Sequence, residues 1–202
     1  MRFLGFLCFL VGCSHSGSSP PAPEYGMMLH LSLSQSEPQL ADLSLSTLKV
    51  HLLNLTAVSD RSSSDPRALI DVADVDFGAT ADIPLPSAPP GTYSAVEWTL
   101  GDTVESGIDL EGTLAGQHLH LQLVAGPTDT RCPNPEELAP GQRVQLALTI
   151  DATHWFDAVD LTDAKNDEDD NGIIINMEDN AALAQQILQN SIKSFQLECQ
   201  PW

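Results

Sequence analysis

Apolar and polar residues alternate with period two along most of the middle of the chain. "MMLHLSLS" (27–34) sets Leu29, Leu31 and Leu33 on one face, and "STLKVHLLNL" (46–55) does the same with Leu48, Val50 and Leu52. Such segments predict strands with one buried face. Further candidates are 68–72, 79–85, 92–100, 107–114, 117–124 and 143–151. Between them stand turn-formers: "SDRSSSDPR", "PSAPPG" and the long "GPTDTRCPNPEELAPGQ". About eight short alternating strands with Pro and Gly between them predict a mainly β fold, an antiparallel β-sandwich.

The period changes near the end. "EDNAALAQQILQNSIKSFQLE" repeats apolar residues at Leu183, Ile187, Leu188, Ile192 and Phe195, predicting an amphipathic helix over 179–197 that Asp179 or Asn180 caps. A shorter helical turn is expected in "HWFDAVDLTDAK", with Trp155, Phe156 and Val159 turned inward. One domain, 27–202, accounts for the whole pattern.

The first residues do not share it. "MRFLGFLCFLVGC" has a single basic residue and then an apolar run too short for a bilayer span, so 1–12 is expected to be a signal peptide. Its end, Leu10-Val11-Gly12-Cys13, resembles the lipobox of bacterial lipoproteins. The resemblance implies cleavage before Cys13 and lipidation of that cysteine, with 13–26 as a tether. Ser14 beside it implies outer-membrane sorting. The expected address is the cell envelope, with the membrane as a partner through the lipid anchor and an unidentified envelope protein or ligand as the other. Export leaves Cys132 and Cys199 as one pair in an oxidising compartment, and they are expected to form a disulfide tying the 127–142 loop to the C-terminus.

Charge narrows the partners. With 8 Lys+Arg against 28 Asp+Glu, the formal net charge is −20, which repels nucleic-acid backbones and favours cations. The acids concentrate in "NDEDDNGIIINME" (166–178), which from Asp167 satisfies D-x-[DN]-x-[DN]-G-x5-E at every specified place. A hard divalent ion needs oxygens from residues 1, 3 and 5, a glycine at 6, a carbonyl at 7 and a bidentate carboxylate at 12. Asp167, Asp169, Asn171, Ile173 and Glu178 fill those roles, making calcium the expected cofactor at loop 167–178. Ile174, at the eighth place, falls where the EF-hand pattern that this loop resembles has an apolar core anchor. The alternative is copper or zinc on polar-face histidines, His118 and His120 with His51 and His30, if their strands are neighbours. No G-x-S-x-G or H-E-x-x-H motif is present, and no catalytic residue is expected.

"GTYSAVEWTLGD", "APGQRVQLALTID", "WFDAVDL" and "NAALAQQILQNSIKSF" together resemble bacterial lipoproteins with an immunoglobulin-like or transthyretin-like sandwich. A more distant likeness is to periplasmic copper-associated proteins of methanotroph type. The first resemblance implies the fold and no activity; the second implies His ligands.

Overall fold

The computed structural model describes residues 26–34, 42–59, 68–69, 75–77, 80–86, 88–102, 106–165 and 172–202. The expected signal peptide 1–12, Cys13, the expected tether up to residue 25 and the loop residues Asp167, Asp169 and Asn171 lie outside the described residues.

The strands are β1 (Gly26–Ser34), β2 (Leu43–Ser59), β3 (Ala68–Leu69), β4 (Val75–Phe77), β5 (Thr80–Leu85), β6 (Gly91–Leu100), β7 (Ile108–Leu114), β8 (Gln117–Leu123), β9 (Ala125–Leu138), β10 (Arg143–Asp151), β11 (Ile173–Ile175) and β12 (Phe195–Pro201). One helix, α1, covers Ala181–Lys193, and two single 3-10 turns cover Ala152–His154 and Leu161–Asp163. The strands form two sheets. The smaller runs β12-β10-β1-β5; the larger runs β11-β8-β7-β2-β6-β9, with β3 and β4 also paired to β2. Most pairs are antiparallel, but β1–β10 and β11–β8 are parallel.

The alternation read from the sequence is the alternation of burial. Val144, Leu146, Leu148 and Ile150 of β10 face inward, as do Met27, Leu29, Leu31 and Leu33 of β1. From the larger sheet, Leu119, Leu121 and Leu123 meet them in one apolar core. Trp98 of β6 stacks on Phe195 of β12, ring centroids 4.2 Å apart, so the two sheets share an aromatic contact. Such a pair adds about 0.5–1.5 kcal/mol beyond its buried area.

β2 is long because it serves two partners in succession. Its first half pairs with β7 and its second with β6. His51 sits at the changeover, donating its amide to Gly107 O at 2.7 Å and accepting from Gly101 N at 3.1 Å. The corner between β6 and β7 closes so tightly that a Cβ on Gly107 would lie 2.3 Å from the Leu100 carbonyl carbon. Only glycine fits there.

Three elements differ from expectation. The 126–142 stretch, read as a turn, is strand β9 through Leu138: its prolines fall on a strand with only β6 beside it in the sheet, where a missing amide is tolerated. Cys132 and Cys199 are bonded as expected, Cα–Cα 5.8 Å, but Cys132 sits on strand β9 and not in a loop, so the disulfide joins a strand of one sheet to β12 of the other. The helix ends at Lys193, and Phe195 and Leu197 belong to β12, where Phe195 gains Trp98 and Leu197 pairs across from Leu148. Period two and period 3.6 overlap over so few residues that the apolar pattern alone did not separate them.

Candidate functional site

The chain between β10 and β12 builds one corner of the molecule. Asp151 caps the first 3-10 turn, accepting from Thr153 N at 2.9 Å. Hydrogen bonds from Thr153 hold its carboxyl below the usual aspartate range, with the charge of His154 assisting and partial burial opposing. Trp155, Phe156 and Val159 then turn into the core as expected, and the Trp155 indole donates to Ser194 Oγ at 2.9 Å. Helix α1 grips this turn from the other side. Gln186 donates to Ala158 O, and Asn190 donates to the carbonyls of Trp155 and Asp157. Asp160 repeats the capping device, accepting from the Thr162 amide and hydroxyl, which lowers its carboxyl pKa too.

Beyond Gly172 the chain adds β11 to the edge of β8 in parallel register, Ile173 beside Leu119, Ile174 beside His120 and Ile175 beside Leu121. That register decides which isoleucines are buried. Ile173 and Ile175 continue the inward row, whereas Ile174 falls on the outer face and is only half-buried. The expected core anchor is therefore its two neighbours. Gly172 also has a different reason for being glycine. Its φ lies outside the left-handed range, and a Cβ would come within 3.0 Å of His118 O. Close approach to β8, not a left-handed turn, is what crowds a side chain there.

Residues 176–180 bend before the helix begins. Asn176 Oδ1 accepts from Glu178 N at 2.8 Å and from Asp179 N, and Asn176 N donates to Asp179 O at 2.8 Å. Glu178 is exposed within this bend, one turn short of α1. Asn180 occupies the N-cap position with φ 58°, but its side chain does not cap. It faces backward instead: Oδ1 accepts from Lys165 N at 2.8 Å, and Nδ2 donates to Lys165 O at 3.0 Å and to Ile174 O at 2.7 Å. One amide thus ties together the two chain segments that flank the acidic residues 166–171. The sequence placed Asn180 correctly at the helix start; nothing in local spacing announced its partner 15 residues upstream.

Of the expected calcium ligands, Ile173 on β11 and Glu178 within the bend fall on described residues, and the donor set of carboxylates, an amide and a carbonyl suits a hard cation. The histidines do not gather. His30 lies on the smaller sheet, bonded to Asp82 across β1 and β5 at 2.6 Å. His120 bonds Asp109 of β7 at 2.9 Å, and His118 is exposed beside it on β8. His51, expected on a polar face, is buried at the β2 changeover, 5% exposed. Among the described residues no three His, Cys, Asp or Glu side chains form a metal-holding group.

The same corner encloses a cleft of about 450 Å³. Leu114, Val159, Leu161 and Ile173 line it with Asp42 and Asp160, and its wall includes the β7–β8 hairpin. Comparison with protein-family models, curated proteins and solved structures finds no match for the chain.

Proposed function

We propose that the chain is an exported, lipid-anchored binding or scaffold protein of the cell envelope in which a single calcium ion secures the joint between sandwich and helix. The observation that carries the calcium assignment is the Asn180 clasp. By holding Lys165 against Ile174, it brings the two flanks of the acidic stretch to neighbouring points, which supports a reading in which the carboxylates between them share one ion. Mutual repulsion among Asp167, Asp169, Asp170 and Glu178 is relieved by a divalent cation. The lipobox-like Leu10–Cys13 and the cross-sheet disulfide support export and anchoring. No catalytic role is assigned.

A lone loop of this kind has an affinity on the order of 10⁻⁴–10⁻³ M. At 10 mM Ca²⁺ that stabilises the fold by about 1.4–2.7 kcal/mol, or roughly 3–11 °C in melting temperature for a chain of this size. The rise is expected for the parent and not for Glu178→Gln. A melting temperature indifferent to calcium in the parent would overturn the assignment, and mass spectrometry of the mature protein from its host, showing an unacylated Cys13, would overturn the anchor.

A further inference from the structure

We propose that the corner cleft is a binding site for a small organic cation with an apolar body, such as an alkyl- or arylalkyl-ammonium group. Its volume of about 450 Å³ falls in the range of sites that take small molecules. Its composition is that of such a site as well, apolar surface with a few placed polar groups. Leu114, Val159, Leu161 and Ile173 supply the apolar surface, and they come from three separate stretches of chain, so the concavity is a product of the fold and not of one loop.

The charge of the occupant follows from the rim. Among the described residues of the lining, Asp42 and Asp160 are the charged ones, and no Lys or Arg is among them. Both aspartates are held in place by hydrogen bonds. Asp42, at φ 64°, accepts from Ala115 N through its main-chain carbonyl at 3.0 Å, which pins it to the tip of the β7–β8 hairpin while leaving the carboxylate out of that bond. Asp160 is oriented by the Thr162 amide and hydroxyl. In a protein of net charge −20, an anionic ligand is repelled from such a rim and a cation is drawn to it. Both carboxylates are exposed at the rim, so they favour a cation by attraction through solvent, and the occupant that uses the whole lining is amphipathic and cationic.

This deepens the binding role proposed above and is independent of the calcium assignment, since the titration is run with calcium and again with a chelator. The probe is n-hexylammonium, followed by methyl NMR on the full chain, with 1-hexanol and hexanoate as length-matched neutral and anionic controls. Saturable shifts are expected at the Leu114, Val159, Leu161 and Ile173 methyls, with hexanol weaker and hexanoate without effect. Gln117→Trp, at the exposed mouth of the cleft, fills it and is expected to weaken binding about tenfold or more. Asp42→Asn keeps the left-handed backbone and the Ala115 bond, and is expected to weaken binding about two- to fivefold, an effect that salt also produces. Hexylammonium shifts that fail to saturate, or that fall on methyls elsewhere, would overturn the site. Hexanol or hexanoate binding as tightly as the amine, or an unchanged affinity in Asp42→Asn, would overturn the cation specificity.

Discussion

Asn180 offers the most direct test of the joint between sandwich and helix. Its side-chain amide makes three hydrogen bonds, to Lys165 N, Lys165 O and Ile174 O, with lengths of 2.7–3.0 Å. Asn180→Gly removes all three while tolerating φ 58°, so the loss measures the bonds with little added backbone strain. The site is half-buried, so each bond is worth the lower part of the usual net range, and together they contribute about 2 kcal/mol. That corresponds to roughly 4–8 °C in melting temperature. Asn180→Ala adds the penalty of a Cβ in left-handed backbone, about 1 kcal/mol or more, and should be worse. Asn180→Asp is the sharpest change, because it keeps the acceptor for Lys165 N but sets a second carboxylate oxygen against two carbonyls. Calorimetry ranks the three, and amide exchange locates the damage: Ile173–Ile175 and the first turn of α1 should exchange faster while β1 and β10 keep their protection. A glycine variant that melts within about 1 °C of the parent, with unchanged exchange at 173–175, would refute the clasp.

The disulfide closes a loop of 67 residues, so replacing both Cys132 and Cys199 by Ser should cost about 4 kcal/mol on the loop-entropy estimate. Denaturant titration checks this, and a loss below about 1 kcal/mol would mean that the two sheets hold each other without the staple. Acid should act on the 151–162 turns. Asp151 and Asp160 have folded pKa values below their ordinary ones, so each contributes stability that is present above the ordinary aspartate pKa and lost as pH falls through the folded value. The melting-temperature gap between the parent and Asp151→Asn/Asp160→Asn should therefore be widest near neutrality and close between roughly pH 5 and pH 2. A gap independent of pH would contradict the hydrogen-bond origin of the shifts.

Where one residue's burial follows from its own strand, the sequence was readable. The inward rows of β1, β8 and β10, the pairing of the two cysteines, and the inward turn of Trp155, Phe156 and Val159 all follow from local alternation or from the cysteine count. Where burial depends on which strand lies alongside, it was not. Ile174 faces outward because its register on β8 sets it beside His120, and His51 is buried at the point where β2 passes from β7 to β6. β9 was hidden by its prolines, and β12 by an apolar-polar alternation from Phe195 whose first residues also suit a helix end. The cleft was least legible of all, since its walls come from residues 42, 114–117, 159–164 and 173, which no short window contains.

The smaller sheet is assembled from opposite ends of the chain. β1 lies between β5 and β10, and β10 in turn needs β12, whose last residue is Pro201. A ribosome releases β1 well before β10 and β12, so β1 must wait for more than a hundred further residues before its parallel partner exists. During that interval the row Met27, Leu29, Leu31 and Leu33 has no sheet to enter beyond the short β5 strand. Completion of this sheet therefore waits for β12, and a chain truncated before Phe195 leaves β10 as a bare hydrogen-bonding edge open to other copies.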